Sequence, residues 1–280
     1  MKIFKRAVII FLILSPAYSY ASDDLTLIKK YNKGVDLYRQ GDYEQAGRHF
    51  KDLLEENAND VKSLNNLACV YIKDSKYNQA VIKLKFALMA GKDVDANYNL
   101  AIATYKRGTY EESETIINEV INSAGMDYKQ VSLLSGLVSY NLFKYDSAIR
   151  SLTRYMEKNS SSFEALFTIG LAQFKKTNYS EAIETFNQCI EKKSDNALAY
   201  YNLANAYLAK GDYNMAVDAF NKALHFNENF AECYFNLATT YLKLKDYKNS
   251  TSNFEKYLKI KPDATDKADV KGYIKALKPA

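Results

Sequence analysis

Apolar residues recur along this chain at helical spacing, and the pattern itself repeats about every 34 positions. One aromatic marks the period. Tyr43, Tyr77, Tyr110, Tyr145, Tyr179, Tyr213 and Tyr247 stand 34, 33, 35, 34, 34 and 34 residues apart. With that tyrosine as position 17, repeats begin at Leu27, Val61, Val94, Lys129, Phe163, Ala197 and Ala231. Position 20 is always small, from Ala46 to Ser250. Position 24 is always large and apolar, from Phe50 to Phe254, and position 28 is always apolar. A spacing of i, i+4, i+8 is one face of a helix. Positions 4, 7, 8 and 11 make a similar face just before it, as in Tyr200, Leu203, Ala204 and Tyr207. Each repeat therefore predicts two helices. Position 8 is always Gly or Ala, so small side chains at 8 and 20 are expected to face each other. Their contact brings the helices to the near end of the roughly 8–10 Å packing range, with the large residues at 24 and 28 beside it.

The joints are also legible. In Lys210-Gly211-Asp212-Tyr213, Gly211 suits the left-handed end of a helix and Asp212 the start of the next. Position 16 carries a capping residue at Asp42, Thr109, Asn178, Asp212 and Asp246, and Thr109 with Glu112 predicts a capping box. Lys76 and Lys144 predict weaker caps. The fourth repeat departs from the pattern, with Ser132, Ser135 and Ser139 at positions 4, 7 and 11 and Gly125 just before it. An irregularity at Ser123–Gln130, dividing the array in two, is expected there. A stack of repeats leaves its last apolar face open. Val270, Tyr273, Ile274 and Leu277 predict a helix over about Asp266–Leu277 that covers it.

The chain starts differently. Lys2, Lys5 and Arg6 precede an apolar run from Ala7 to Leu14, then Ser15-Pro16 and the small-residue site Ser19-Tyr20-Ala21. That is the layout of a secretory signal peptide, and the run is short of the roughly 20 residues that cross a bilayer. Cleavage near Ala21 and a periplasmic or extracellular location are expected, with membrane contact only if the leader is retained. The expected organisation is leader 1–21, a short lead 22–26, repeats over 27–264 (27–60, 61–93, 94–128, 129–162, 163–196, 197–230, 231–264) and a capping helix in 265–280.

The chain's +5 charge falls once the leader is removed. Three of its 38 basic residues lie there and none of its 33 acidic ones, which leaves 35 against 33, or +2. That balance does not argue for nucleic acid. Cys69, Cys189 and Cys233 are too widely spaced for a disulfide framework and read as buried apolar residues or free thiols. No G-x-S-x-G, P-loop, H-E-x-x-H or C-x-x-C occurs. His49 and His225 fall at unrelated repeat positions and are expected to be exposed helix residues. The reading is of a protein that is not an enzyme and needs no cofactor or metal.

The small residue at 8, Tyr at 17, Ala at 20, Phe at 24 and Pro262 near 32 resemble the tetratricopeptide repeat over about Leu27–Ala264. The sixth repeat is nearest the motif. The missing Trp at position 4 and the serine-rich fourth repeat depart from it. The resemblance implies an all-α, right-handed superhelical solenoid of about seven helix-turn-helix repeats. It also implies a concave face lined by positions 2, 5, 6, 9, 12 and 13. Position 6 reads Asn32, Asn66, Asn99, Leu134, Thr168, Asn202 and Asn236. An Asn amide both donates and accepts, so such a row can hold the backbone of an extended peptide, or be an ordinary repeat feature. Leu133, Leu134, Leu137, Tyr140, Phe167, Leu171 and Phe174 read either as core or as an apolar pocket on that face. Tyr31, Tyr98, Tyr201 and Phe235 at position 5 extend the surface. A carboxylate clamp is disfavoured, because Tyr31, Val35, Asp95 and Asn99 stand where its basic and Asn residues belong. The expected function is an exported adaptor that binds a protein or peptide segment. The alternative is a self-associating or spacer subunit, with homo-oligomers left open.

Overall fold

Each periodic tyrosine opens a helix. The computed structural model describes Leu12, Leu14 and residues 25–128 and 130–277. Among these, the second helices of the repeats are α2 (Tyr43–Glu56), α4 (Tyr77–Ala90), α6 (Tyr110–Ala124), α8 (Tyr145–Lys158), α10 (Tyr179–Lys192), α12 (Tyr213–Phe226) and α14 (Tyr247–Ile260). The first helices are α1 (Leu25–Gln40), α3 (Val61–Lys73), α5 (Val94–Arg107), α7 (Val131–Asn141), α9 (Phe163–Lys175), α11 (Ala197–Lys210) and α13 (Ala231–Lys243). A last helix, α15 (Lys267–Leu277), follows. No strand occurs among the described residues, and none of their helices is long and apolar enough to cross a membrane. The expected all-α, helical-hairpin repeat architecture is what the chain adopts.

The reversal inside each repeat has one chemistry. Position 15 takes a positive φ in all seven repeats: Gly41, Ser75, Gly108, Phe143, Thr177, Gly211 and Lys245. The next residue's N–H then bonds back five residues, as Asp42 does to the Leu37 carbonyl at 2.9 Å and Asp212 to that of Tyr207 at 2.9 Å. This is a Schellman turn, and it satisfies carbonyls the helix end would otherwise leave open.

The same turn corrects the capping expectation. It holds position 16 at ψ between 58° and 79° in the six repeats with a defined cap. Only Asp42 and Asp246 there accept from a helix N–H. Thr109, Asn178 and Asp212 do not, and the Thr109 hydroxyl bonds the Glu112 carboxylate at 3.2 Å instead of closing a capping box. The first helices are capped more regularly. Asp60, Asp93, Ser162 and Asn196 sit at ψ near 100° or above and each accepts from the N–H three residues on.

Packing follows the repeat. Position 20 is buried in every repeat, and position 24 likewise. In the third repeat the Ser113 hydroxyl, at position 20, donates to the carbonyl of Ala101, at position 8, over 2.8 Å. Glycine at position 8 instead makes room for the ring at position 24: a Cβ on Gly34 would stand 2.9 Å from Phe50, and one on Gly170 2.8 Å from Phe186. At the C-terminal end Val270 of α15 is fully buried against Ala231, Phe254 and Tyr257, with Ile274 and Leu277 beside it. Tyr273 stays half exposed.

The described chain forms two compact units, one ending at Ser151 and one starting at Leu152, so the division falls inside α8. It was expected at 123–130. The irregular segment is present, with α6 ending before Gly125 and α7 short, but it does not part its neighbours. The Tyr128 hydroxyl bonds the Asp95 carboxylate, Ser132 Oγ donates to the Met126 carbonyl at 2.8 Å, and α6 packs on α7. These contacts tie the segment down.

Of residues 1–21, where a leader is expected, only Leu12 and Leu14 lie within the described residues. Both are partly buried against the first core, which includes Tyr31, Val35, Phe50, Leu67 and Cys69.

Candidate peptide-binding face

First helices of successive repeats touch, α1 with α3, α3 with α5 and α5 with α7 in the first unit, α9 with α11 and α11 with α13 in the second. Positions 5, 6 and 9 therefore meet their counterparts in the next repeat, which decides what the position-6 asparagines do.

In the first unit they are internal. Asn66 is fully buried and donates to the Tyr31 hydroxyl at 2.8 Å. Asn65 donates to Asn66 Oδ1 at 3.3 Å, and Asn99, also fully buried, donates to Asn65 Oδ1 at 2.8 Å and to Cys69 Sγ at 3.3 Å. A chain of amides and a hydroxyl thus runs across three repeats. Burial makes each of these bonds costly to leave unmade, so the network acts as a register key between helices. Asn32 Oδ1 is buried with no hydrogen-bond partner among the described residues. Burial also pushes the Cys69 thiol well above its ordinary range.

The second unit repeats the motif nearer the surface. Asn236 donates to the Tyr201 hydroxyl at 3.0 Å and to Asn205 Oδ1 at 2.7 Å, and all three side chains are half-buried. Burial raises the Tyr201 pKa, and hydrogen bonds from Asn205 and Asn236 work against it. Asn202 turns back to the Leu198 carbonyl of its own helix at 2.7 Å. Asn65 and Asn205 were not among the expected site residues. Their signal was available, since each is an Asn at position 5 or 9 beside a position-6 partner.

The apolar candidates are mostly core. Leu134, Leu137 and Phe167 are buried, and Tyr98 is also buried, with its ring 6.1 Å from Tyr128. Phe167 stacks on Phe163 at 5.5 Å and meets Phe186 edge-on at 5.7 Å. These residues fill their own repeats because the fourth and fifth carry apolar groups on more than one helix face. Leu171 is half-buried.

His225 is exposed against Phe226, whereas His49 is half-buried, its Cβ close to Gly34 and its Nδ1 without a hydrogen-bond partner among the described residues. The three cysteines are buried, Cys189 and Cys233 with thiols pushed up to about 12 by burial. No group of His, Cys, Asp and Glu among the described residues is arranged to hold a metal.

A stack of two-helix repeats joined by Schellman turns, with amides keyed between first helices, defines a helical-repeat scaffold. Models of the tetratricopeptide repeat match residues 170–211, 197–230 and 231–264, so the chain carries tetratricopeptide repeats there. Hsp70-Hsp90 organizing protein 1 of Arabidopsis thaliana is 30% identical over 77 residues, 27% of this chain and 14% of that protein. Protein STIP1 homolog of Dictyostelium discoideum is 29% identical over 79 residues, 28% of this chain and 14% of that one. The chain thus spans about a seventh of the length of these relatives. Among solved structures, a tetratricopeptide repeat protein from Parabacteroides merdae superposes with a TM-score of 0.63 at 19% identity, covering 91% of this chain and 99% of its own. YrrB, described as a TPR protein with an unusual peptide-binding site, gives 0.57 at 23% identity, covering 66% and 95%. Both likenesses are of fold.

Proposed function

We propose that this chain is an exported adaptor that holds an extended polypeptide segment on the face formed by its first helices. The observation that carries the reading is the half-exposed cluster of Tyr201, Asn205 and Asn236. In accepting from Asn236, the Tyr201 hydroxyl keeps its own proton to donate, and Asn236 keeps its carbonyl oxygen to accept. A donor and an acceptor fixed by one another suit the alternating C=O and N–H groups of an extended backbone. The peptide-binding site named for YrrB and the organizing role named for the Arabidopsis relative point the same way. The experiment screens a peptide library against the full chain and against Tyr201→Phe and Asn205→Ala/Asn236→Ala. Loss of bound peptides in the variants, with helicity intact, supports the reading; the same peptides held equally by all three overturns it. Export is tested by N-terminal sequencing of the protein from the extracytoplasmic fraction, where a start at Ser22 is expected.

One observation favours the second reading, self-association. Ile82, Phe86 and Met89 lie at i, i+4, i+7 on α4, and all three are exposed, Met89 by 82%. An apolar stripe of this kind suits a second copy of the chain. Sedimentation at micromolar concentration separates the two: a dimer that Phe86→Asp converts to monomer supports it, and a strict monomer in both excludes it.

A further inference from the structure

Asparagine followed two residues later by serine or threonine, with no proline between, is the acceptor for N-linked sugar where it stands in a surface loop of an exported protein. The triplet occurs three times, at Asn159-Ser160-Ser161, Asn178-Tyr179-Ser180 and Asn249-Ser250-Thr251. The fold separates them. Asn249, Ser250 and Thr251 lie inside α14, with Ser250 fully buried and the Asn249 side-chain amide donating to Asp246 at 2.7 Å. Asn178 is half-buried in the Schellman turn before α10. Its N–H bonds the Gln173 carbonyl and its own carbonyl accepts from Ala182, each at 3.0 Å, while Tyr179 and Ser180 are already helical. A transferase has to draw the triplet away from the protein into its own site, which at both of these places breaks helix bonds. Asn159, Ser160 and Ser161 instead belong to the link between α8 and α9, and all three are exposed. A turn spans them, closed by the Ser162 N–H on the Asn159 carbonyl at 3.0 Å.

We propose that Asn159 is a glycosylation site, which receives an oligosaccharide on the folded chain after export. The inference rests on the reading of the chain as exported. The co-substrate is an oligosaccharide joined through pyrophosphate to a membrane lipid. Asn159 Nδ2 forms a bond to C1 of the first sugar, and the C1–O bond to the pyrophosphate breaks with its electron pair. The amide gives up one proton, and nothing is oxidised or reduced. The Asn159 side-chain amide donates to the Tyr155 carbonyl at 3.1 Å, at the end of α8. An asparagine amide has two hydrogens, so the one that remains after transfer still serves this bond and α8 keeps its end. Glu157, two residues ahead and exposed, offers a carboxylate for a cationic group of the transferase to hold.

The experiment purifies the full chain from its source cell, sequences its N-terminus and reads the tryptic peptide that ends at Lys175 by mass spectrometry. An oligosaccharide mass on Asn159 is expected. It should vanish in Asn159→Gln and Ser161→Ala and persist in Ser161→Thr, because either hydroxyl residue completes the acceptor. Occupancy at Asn159 is expected to exceed that at Asn178 and Asn249 by about tenfold or more, since those two become accessible only by local opening of their helices. An unmodified peptide in a chain that begins at Ser22 overturns the proposal and leaves the export reading standing. A sugar that persists in Asn159→Gln lies on one of the neighbouring serines and overturns it as well. A chain that retains residues 1–21 and stays inside the cell sinks the export reading and the glycosylation site with it.

Discussion

Asn66 of α3 donates a 2.8 Å hydrogen bond to the hydroxyl of Tyr31 in α1, 35 residues earlier. Asn236 and Tyr201, again 35 residues apart, repeat it at 3.0 Å. The bond therefore belongs to the repeat: position 6 of one repeat donates to position 5 of the one before. It couples neighbours that otherwise meet through apolar faces, which carry no sense of direction.

That coupling is measurable. Asn66→Ala is expected to lower stability by about 1–3 kcal/mol, because it takes a hydrogen bond from each of the buried side chains of Tyr31 and Asn65. Tyr31→Phe is expected to cost about 1 kcal/mol, and the double variant less than the sum. Urea denaturation of the four proteins checks the cycle. Additive losses would show that the pair is not coupled.

The two kinds of helical glycine should respond oppositely to alanine. Gly170→Ala places a methyl 2.8 Å from the Phe186 ring, whose repeat is fully packed, and a loss of about 1–3 kcal/mol is expected. Gly272 in α15 has nothing within 4 Å, so Gly272→Ala is expected to gain about 0.5–1 kcal/mol through helix propensity. Thermal melts followed by circular dichroism decide both signs.

Four turns carry a side chain where the backbone is left-handed. Thr177 at φ 62° is β-branched, the type that tolerates this region least. Thr177→Gly is expected to raise stability by about 1 kcal/mol, and Phe143→Gly, at φ 60°, by a similar amount. A lower melting temperature in both variants would mean that the turn is not under strain.

The C-terminal helix should loosen in alkali. Burial and the Asp266 carboxylate, 2.7 Å from its hydroxyl, push Tyr257 up to about 12. The folded pKa is thus above the unfolded value near 10, so the stabilisation is complete below pH 10 and is lost as pH rises through about 12. The melting temperature of Tyr257→Phe should fall less steeply than that of the wild type between those limits.

Much of the architecture could be read from the chain, and particular residues show why. Ala46, Phe50 and Tyr43 recur at fixed offsets because a helical hairpin presents the same contacts each time it is repeated. The period and the helices followed from that, as did the small residue under each crossing and the closing helix around Val270. Site residues were harder to read. Asn66 and Asn202 occupy the same repeat position, yet one is buried between helices and the other turns to its own backbone at Leu198. Leu134 and Phe167 looked as suited to a groove as to a core.

The sequence by itself determined where each helix begins, which faces pack and where the chain reverses, because these are set by residues close in sequence and by a repeating unit. Tertiary structure alone decided which asparagines remain at the surface, where the array divides, and that Leu12 and Leu14 lie on the first core. Those outcomes depend on what stands next to a residue in the neighbouring repeat, or on a segment far away along the chain. No local spacing encodes such a neighbour.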